Sequence, residues 1–327
     1  MLKGHERSIT FLKYNREGDL LFTCSKDTTP TLWYSHDGER IGTYGGDRND
    51  GHSGSVWSLD VTADTRLLIT ASADQTVKLW EVMTGKEMLT FPHKGPVKAV
   101  AFALGDKEFV TATDYYREHP VSLSVYDFTG GDLEEQPTEP KLVIADRENP
   151  RRRITQIGYL ALNRGIVVCY HDGSLRVYHP GTGEELYYGM EHEGSINALA
   201  FNAERTVFVT ASSDQTAKVG WVSGPRVIRT YESNTPLNAA SLSPIKEHLI
   251  IGGGQDAGDV TKTAAGAGKF EARIFKTALE EEWGRVKGHF GPLNTASFHP
   301  DGRSFATGGE DGYVRINHFD PSYFSEK

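Results

Sequence analysis

The chain has 327 residues, 38% of them apolar and 24% charged, with a net charge of −9. These values sit near globular averages, so a large core can form without disulfide or metal staples, and neither a disordered nor a fibrous chain is expected. The acidic balance argues against broad capture of nucleic acid, which needs dense Lys and Arg, and leaves a local basic patch open.

Apolar runs are short. Val97 to Phe102, broken by Lys98, is typical, far below the roughly 20 residues of a membrane-spanning helix. Met1 to Arg7 is charged almost at once and lacks the apolar stretch of a secretory signal, so an intracellular protein is expected. Cys24 and Cys169 lie 145 positions apart, each in a strand-like segment and outside any CxxC spacing. They read as buried thiols rather than zinc or redox groups.

In chain order, a first unit opens on Gly4-His5 and carries Thr23, Asp27 and Trp33. Only Met1 to Lys3 precede it, and Gly45 to Gly51 follows as a long connector. The second unit opens on Gly51-His52 and repeats the pattern with Thr70, Asp74 and Trp80. Its apolar runs Leu67 to Ile69 and Val77 to Trp80 flank the polar Ala73-Asp74-Gln75-Thr76, which predicts a β-hairpin. A second turn at Met83 to Lys86 leads to a short strand ending near Phe91. A third unit starts near position 93, and Gly130 to Pro140 reads as a flexible excursion at its exit. Arg147, Arg151, Arg152 and Arg153 form the densest basic cluster, either a solvated loop or a contact to RNA or an acidic partner. The fourth unit, Ile154 to Tyr178, turns at Asp172-Gly173. The fifth has His192, Thr210 and Asp214, with Gly220 at the Trp position. The sixth, Leu237 to Phe275, is degenerate and turns at Gln255-Asp256. Glu280 to Glu282 reads as a solvated acidic loop or a contact to a basic partner, and Trp283 as core or exposed anchor. The seventh opens on Gly288-His289 and has Thr307, Asp311 and Asn317 at the Trp position.

The His-to-Asp distance is 22 in all four units that carry both residues, and the histidine intervals of 47, 41, 99 and 97 fit seven units when each long interval holds two. Four short strands per unit, in repeats of about 40 to 45 residues, predict an all-β fold: one seven-bladed propeller with four antiparallel strands per blade, starting near 5, 52, 93, 154, 192, 237 and 289. His, Thr and Asp at fixed spacing also suggest a catalytic triad. An enzyme needs one such set and this chain repeats it, so a structural hydrogen-bond relay is expected in each blade, with the Thr hydroxyl accepting from the indole N–H. Gly252 to Gly254 and Gly266 to Lys269 do not make a phosphate cradle, because Lys269 precedes Phe270 instead of Ser or Thr and no helix pattern follows.

The Gly-His openings, the turn Asp and the closing Trp resemble the WD40 family over nearly the whole chain. Within it, Gly4 to Ile9, Asn15 to Phe22, Ile250 to Asp256, Gly268 to Arg273, Gly284 to Asn294, Gly308 to Arg315 and Phe319-Asp320 are similar to the subunit i family of eukaryotic translation initiation factor three. This resemblance implies a cytoplasmic scaffold, with no cofactor, in the complex that supports mRNA recruitment and scanning on the small ribosomal subunit. It further implies association with subunits b and g, a C-terminal helix of subunit b lying against blades five and six. Glu204 and Val219 match that surface, with Gln255 nearby, and Trp221 stands where the family leads one to expect an acidic contact. The alternatives are a WD40 adaptor in signalling or ubiquitin transfer, and a propeller enzyme, which would need acid and base groups converging on the channel. In such rings the N-terminal segment commonly pairs with the strand around Tyr313 to Phe319, and a three-residue start implies a weak closure.

Overall fold

The computed structural model describes residues 1–45, 51–130, 135–224, 226–254 and 270–325. Gln255 with its turn, the stretch 266–269, the middle of the 45–51 connector and part of the 130–140 excursion lie outside these residues.

Runs of Val, Ile, Leu and Thr extend into strands because such side chains pack well on a pleated surface. Polar turns then cut each run short. Blade two shows the pattern with Val56–Val61, Leu67–Ser72, Thr76–Glu81 and Glu87–Pro92. Its first turn is closed by Thr62, whose N–H donates to the Leu67 carbonyl at 3.0 Å and whose hydroxyl meets the Asp64 carboxylate at 2.7 Å. Its second is held by Asp74, whose carboxylate accepts the Thr76 N–H at 3.0 Å, as Asx side chains commonly do.

Seven four-stranded antiparallel sheets result. The first strand of each packs against the first strands of its two neighbours, and Leu293–Phe298 of blade seven meets Ile9–Tyr14 of blade one, so the ring closes. Side chains on these inner strands stitch blade to blade. Asn294 donates to the Ile9 carbonyl at 2.9 Å, Thr10 to Val56 at 2.6 Å, Asn197 to Leu237 at 2.9 Å and Gln156 to Asn197 at 3.3 Å.

The apolar core is divided among the seams. One buried cluster lies between each neighbouring pair of blades, as where Phe22, Cys24 and Leu32 of blade one meet Val56, Leu59 and Leu68 of blade two. Cys24 and Cys169 are buried free thiols in such clusters, and burial raises both well above the ordinary thiol range.

Blade seven takes Leu2–Lys3 as its outer strand, with Leu2 opposite Val314 and Lys3 opposite Tyr313. Two residues give little pairing, but the same seam holds Ile9, Leu12 and Trp33 against Ala306 and Val314. It also carries a Lys26–Glu310 ion pair at 3.1 Å and a 2.7 Å bond from His299 to the Gly18 carbonyl. Closure therefore rests on the inner strands as well as on the short outer one. After Tyr313–His318 the chain turns back as a short helix, Pro321–Ser325, that buries Tyr323.

Candidate functional site

The repeated His, Thr and Asp residues come together inside the blades. In blade one, the Trp33 indole N–H donates to the Thr23 hydroxyl oxygen at 2.9 Å, Thr23 and His5 Nε2 are 2.8 Å apart, and His5 Nδ1 lies 2.8 Å from Asp27. Blade two repeats this with Trp80 to Thr70 at 2.8 Å, Thr70 to His52 at 2.7 Å and His52 to Asp74 at 2.8 Å. The hydroxyl accepts from the indole, and the imidazole bridges hydroxyl and carboxylate through its two ring nitrogens. The wiring of Thr, His and Asp is that of a nucleophile with its base and orienting acid. Thr23 and Thr70 are 0% exposed, so no substrate reaches either hydroxyl.

Each Asp also fixes backbone. Asp27 accepts the Glu6 N–H and the Thr29 N–H at 3.0 and 3.1 Å. Burial by itself would raise the Asp27 carboxyl, but the His5 bond and these N–H groups outweigh it and bring it down to about 2. Asp74, Asp214 and Asp311 are likewise held low against their burial. Gly4 belongs to the same arrangement: a Cβ there would stand 2.4 Å from the Trp33 ring.

Blades five and seven keep the polar part without Trp. His192 lies 2.8 Å from Thr210 and 2.9 Å from Asp214, and His289 lies 2.9 Å from Thr307 and 3.0 Å from Asp311. Their lost indole volume is replaced from the neighbouring strand. Trp33 and Trp80 stand opposite Leu21 and Leu68, whereas Gly220 and Asn317 stand opposite Phe208 and Phe305. The ring has moved across the strand pair, and a Cβ at Gly220 would lie 2.6 Å from Phe208.

Blade three has a relay that lacks the His-to-Asp spacing, because Tyr115 occupies the Asp position. His93 Nδ1–H donates to the Phe91 carbonyl at 2.9 Å, and Nε2 accepts from Thr111 and Tyr126 at 2.9 and 3.2 Å. The signal was present: Thr111 follows His93 by 18 positions, as Thr23 follows His5. Burial lowers the His93 imidazole to about 4, its bond to the Phe91 carbonyl opposing this only in part.

Other charged and aromatic features resolve individually. Arg151 and Arg153 are exposed, but Arg152 turns inward between Asp146 at 3.4 Å and Asp172 at 3.2 Å, so the four arginines do not form one cationic face. Glu280 pairs with Arg229 at 2.9 Å and Glu282 with Arg273 at 2.6 Å, inside the chain. Trp283 packs against Tyr323 and stacks on His248, under the C-terminal helix. Among the described residues no group of His, Cys, Asp and Glu is placed to hold a metal, and no helix is long and apolar enough to cross a membrane.

The EIF3I family model matches residues 1–327. The chain belongs to this family. It is 43% identical over 325 residues to "Eukaryotic translation initiation factor 3 subunit I" of Drosophila melanogaster, which covers 99% of this chain and 97% of that protein. The protein of the same description from Taeniopygia guttata is 43% identical over 324 residues, and that from Culex quinquefasciatus 41% over 324, with the same coverage of both chains.

The residues expected on the surface of blades five and six differ in burial. Glu204 lies exposed in the turn between Ile196–Phe201 and Val207–Ser212. Trp221 ends the strand Thr216–Trp221 opposite Val207, at the same end of blade five, and is 50% exposed. Val219, by contrast, is buried with Tyr231, Leu237 and Ala240 in the seam to blade six, because strand alternation turns it opposite to Lys218.

Proposed function

We propose that the chain is a non-catalytic scaffold subunit of the initiation factor, holding other subunits on its rigid surfaces and so supporting mRNA recruitment and scanning on the small ribosomal subunit. The family supports the translational role. The half-exposed Trp221 carries the docking reading, since a large aromatic left in water at a blade end is the kind of side chain that anchors interfaces. With Glu204 exposed at the same end, this surface suits an apolar helix face flanked by a basic residue. In this reading its occupant is a C-terminal helix of subunit b, with subunit g held elsewhere on the ring. The burial of the repeated threonines supports a structural rather than catalytic use of the His–Asp pairs.

Trp221→Ala combined with Glu204→Lys tests the reading. Binding of the purified chain to a C-terminal fragment of subunit b should weaken by at least about tenfold, the scale of losing one interface anchor. The melting temperature should hold, because both side chains are exposed. Full retention of binding by a folded double variant would overturn the assignment.

A further inference from the structure

The outer strand of a blade shows solvent a row of unpaired backbone groups, and proteins blunt such edges by shortness, charge or proline. Six of the seven outer strands comply. Leu2–Lys3, Arg40–Thr43 and Leu142–Ala145 have only two, four and four residues. Glu87–Pro92 begins on a charge, ends on proline and turns Phe91 inward. Arg226–Glu232 carries Arg226, Arg229 and Glu232, and Glu281–Lys287 carries Glu281, Glu282, Arg285 and Lys287.

The outer strand of blade four, Glu185–Met190, departs from this rule. Beyond Glu185 it has no charge, and Leu186, Tyr188 and Met190 are 50%, 51% and 59% exposed. Its inner edge pairs with Ser174–Tyr178, and among the described residues no strand pairs with its outer edge. The surface is ordered in advance: Arg176 lies 4.7 Å from the Tyr188 ring, and the Tyr187 hydroxyl donates to Glu191 at 2.7 Å. Acidic groups stand at both ends, Glu184 before the strand and Glu193 after it, both exposed.

We propose that this edge receives an extended segment of a partner polypeptide as a fifth strand of blade four, apolar at alternate positions and carrying Lys or Arg near its ends. Main-chain hydrogen bonds along the open edge supply affinity, and the Leu186, Tyr188 and Met190 row selects the alternating apolar side chains. A second copy of this chain is disfavoured by charge. Antiparallel self-pairing would set Glu184 and Glu185 of one copy against Glu191 and Glu193 of the other. The inference stands apart from the blade-five surface and does not depend on it.

The probe is a fluorescent peptide of alternating Val and Thr flanked by two Lys at each end, added to the full chain. It should bind saturably and slow amide exchange in residues 186–190, read by mass spectrometry. Tyr188→Lys with Met190→Lys should weaken binding by at least about tenfold, which is 1.4 kcal/mol. The same peptide with Glu in place of Lys should bind comparably weakly. An unchanged melting temperature shows that the variant is folded. No binding, protection elsewhere on the ring, or equal affinity of the charged variant would overturn the proposal. So would concentration-dependent dimerisation that the double substitution abolishes, which would give the edge to a second copy.

Discussion

Thr23, His5 and Asp27 have the connectivity of a hydrolytic triad and the surroundings of a core, and the surroundings decide what they do. Each buried donor finds one acceptor, so removing a member leaves others unpaired. Asp74→Ala is expected to destabilise the protein by roughly 1 to 3 kcal/mol, read as a fall in the thermal or urea midpoint. His93 gives the pH dependence its direction. Its folded value of about 4 lies below the ordinary 6.5. Both states are neutral above 6.5; as pH falls below that, the unfolded chain takes a proton that the folded chain refuses. Stability is therefore full above 6.5 and declines toward pH 4, by on the order of 3 kcal/mol for this group. His192 and His289, lowered by burial against the opposing pull of their carboxylates, act in the same direction. His93→Gln should flatten the melting-temperature profile between those pH values, and an unchanged slope would exclude His93 as a source of it. The spacing of 18 to Thr111 made this residue findable, whereas the carbonyl replacing its Asp left no trace in the side-chain pattern.

At the scale of elements, strands and turns were legible because alternation and Asx turns are local. The C-terminal helix was not. Five residues carry no periodicity, and a helix so short owes its existence to tertiary packing. That packing is extensive: Tyr323 stacks on Phe319 at 4.0 Å, meets Trp283, and its hydroxyl lies 2.6 Å from His248 Nδ1. The tail of blade seven is thereby fastened to blade six. Tyr323→Ala should cost about 3 to 5 kcal/mol, the range for emptying a buried aromatic site. Tyr323→Phe, which removes only the hydroxyl and its bonds to His248 and Ser243, should cost about 1 kcal/mol. Equal losses in urea unfolding would mean that the hydroxyl, not the ring, holds the helix.

For the whole molecule, stability lies in seams between blades rather than in one central core. Closure is correspondingly shared. Leu2 and Ile9 both belong to the seam of blades seven and one, Leu2 on the two-residue outer strand and Ile9 on the inner one. Leu2→Ala and Ile9→Ala should each cost about 2 to 5 kcal/mol. Ile9→Ala should cost more, since Ile9 sits where the rings of strands meet. A larger loss for Leu2→Ala in thermal unfolding would show that the outer clasp dominates.

The sequence by itself determined the count of seven blades and the family, because a repeat states its local geometry several times over. Only the tertiary structure decided which faces were covered. It turned Val219 and Arg152 inward, set Trp283 beneath the helix, and left the outer strand of blade four open. Alternation records that two faces of a strand differ, but whether a neighbouring blade or water meets each face depends on closure of the ring, and no short stretch of chain encodes that.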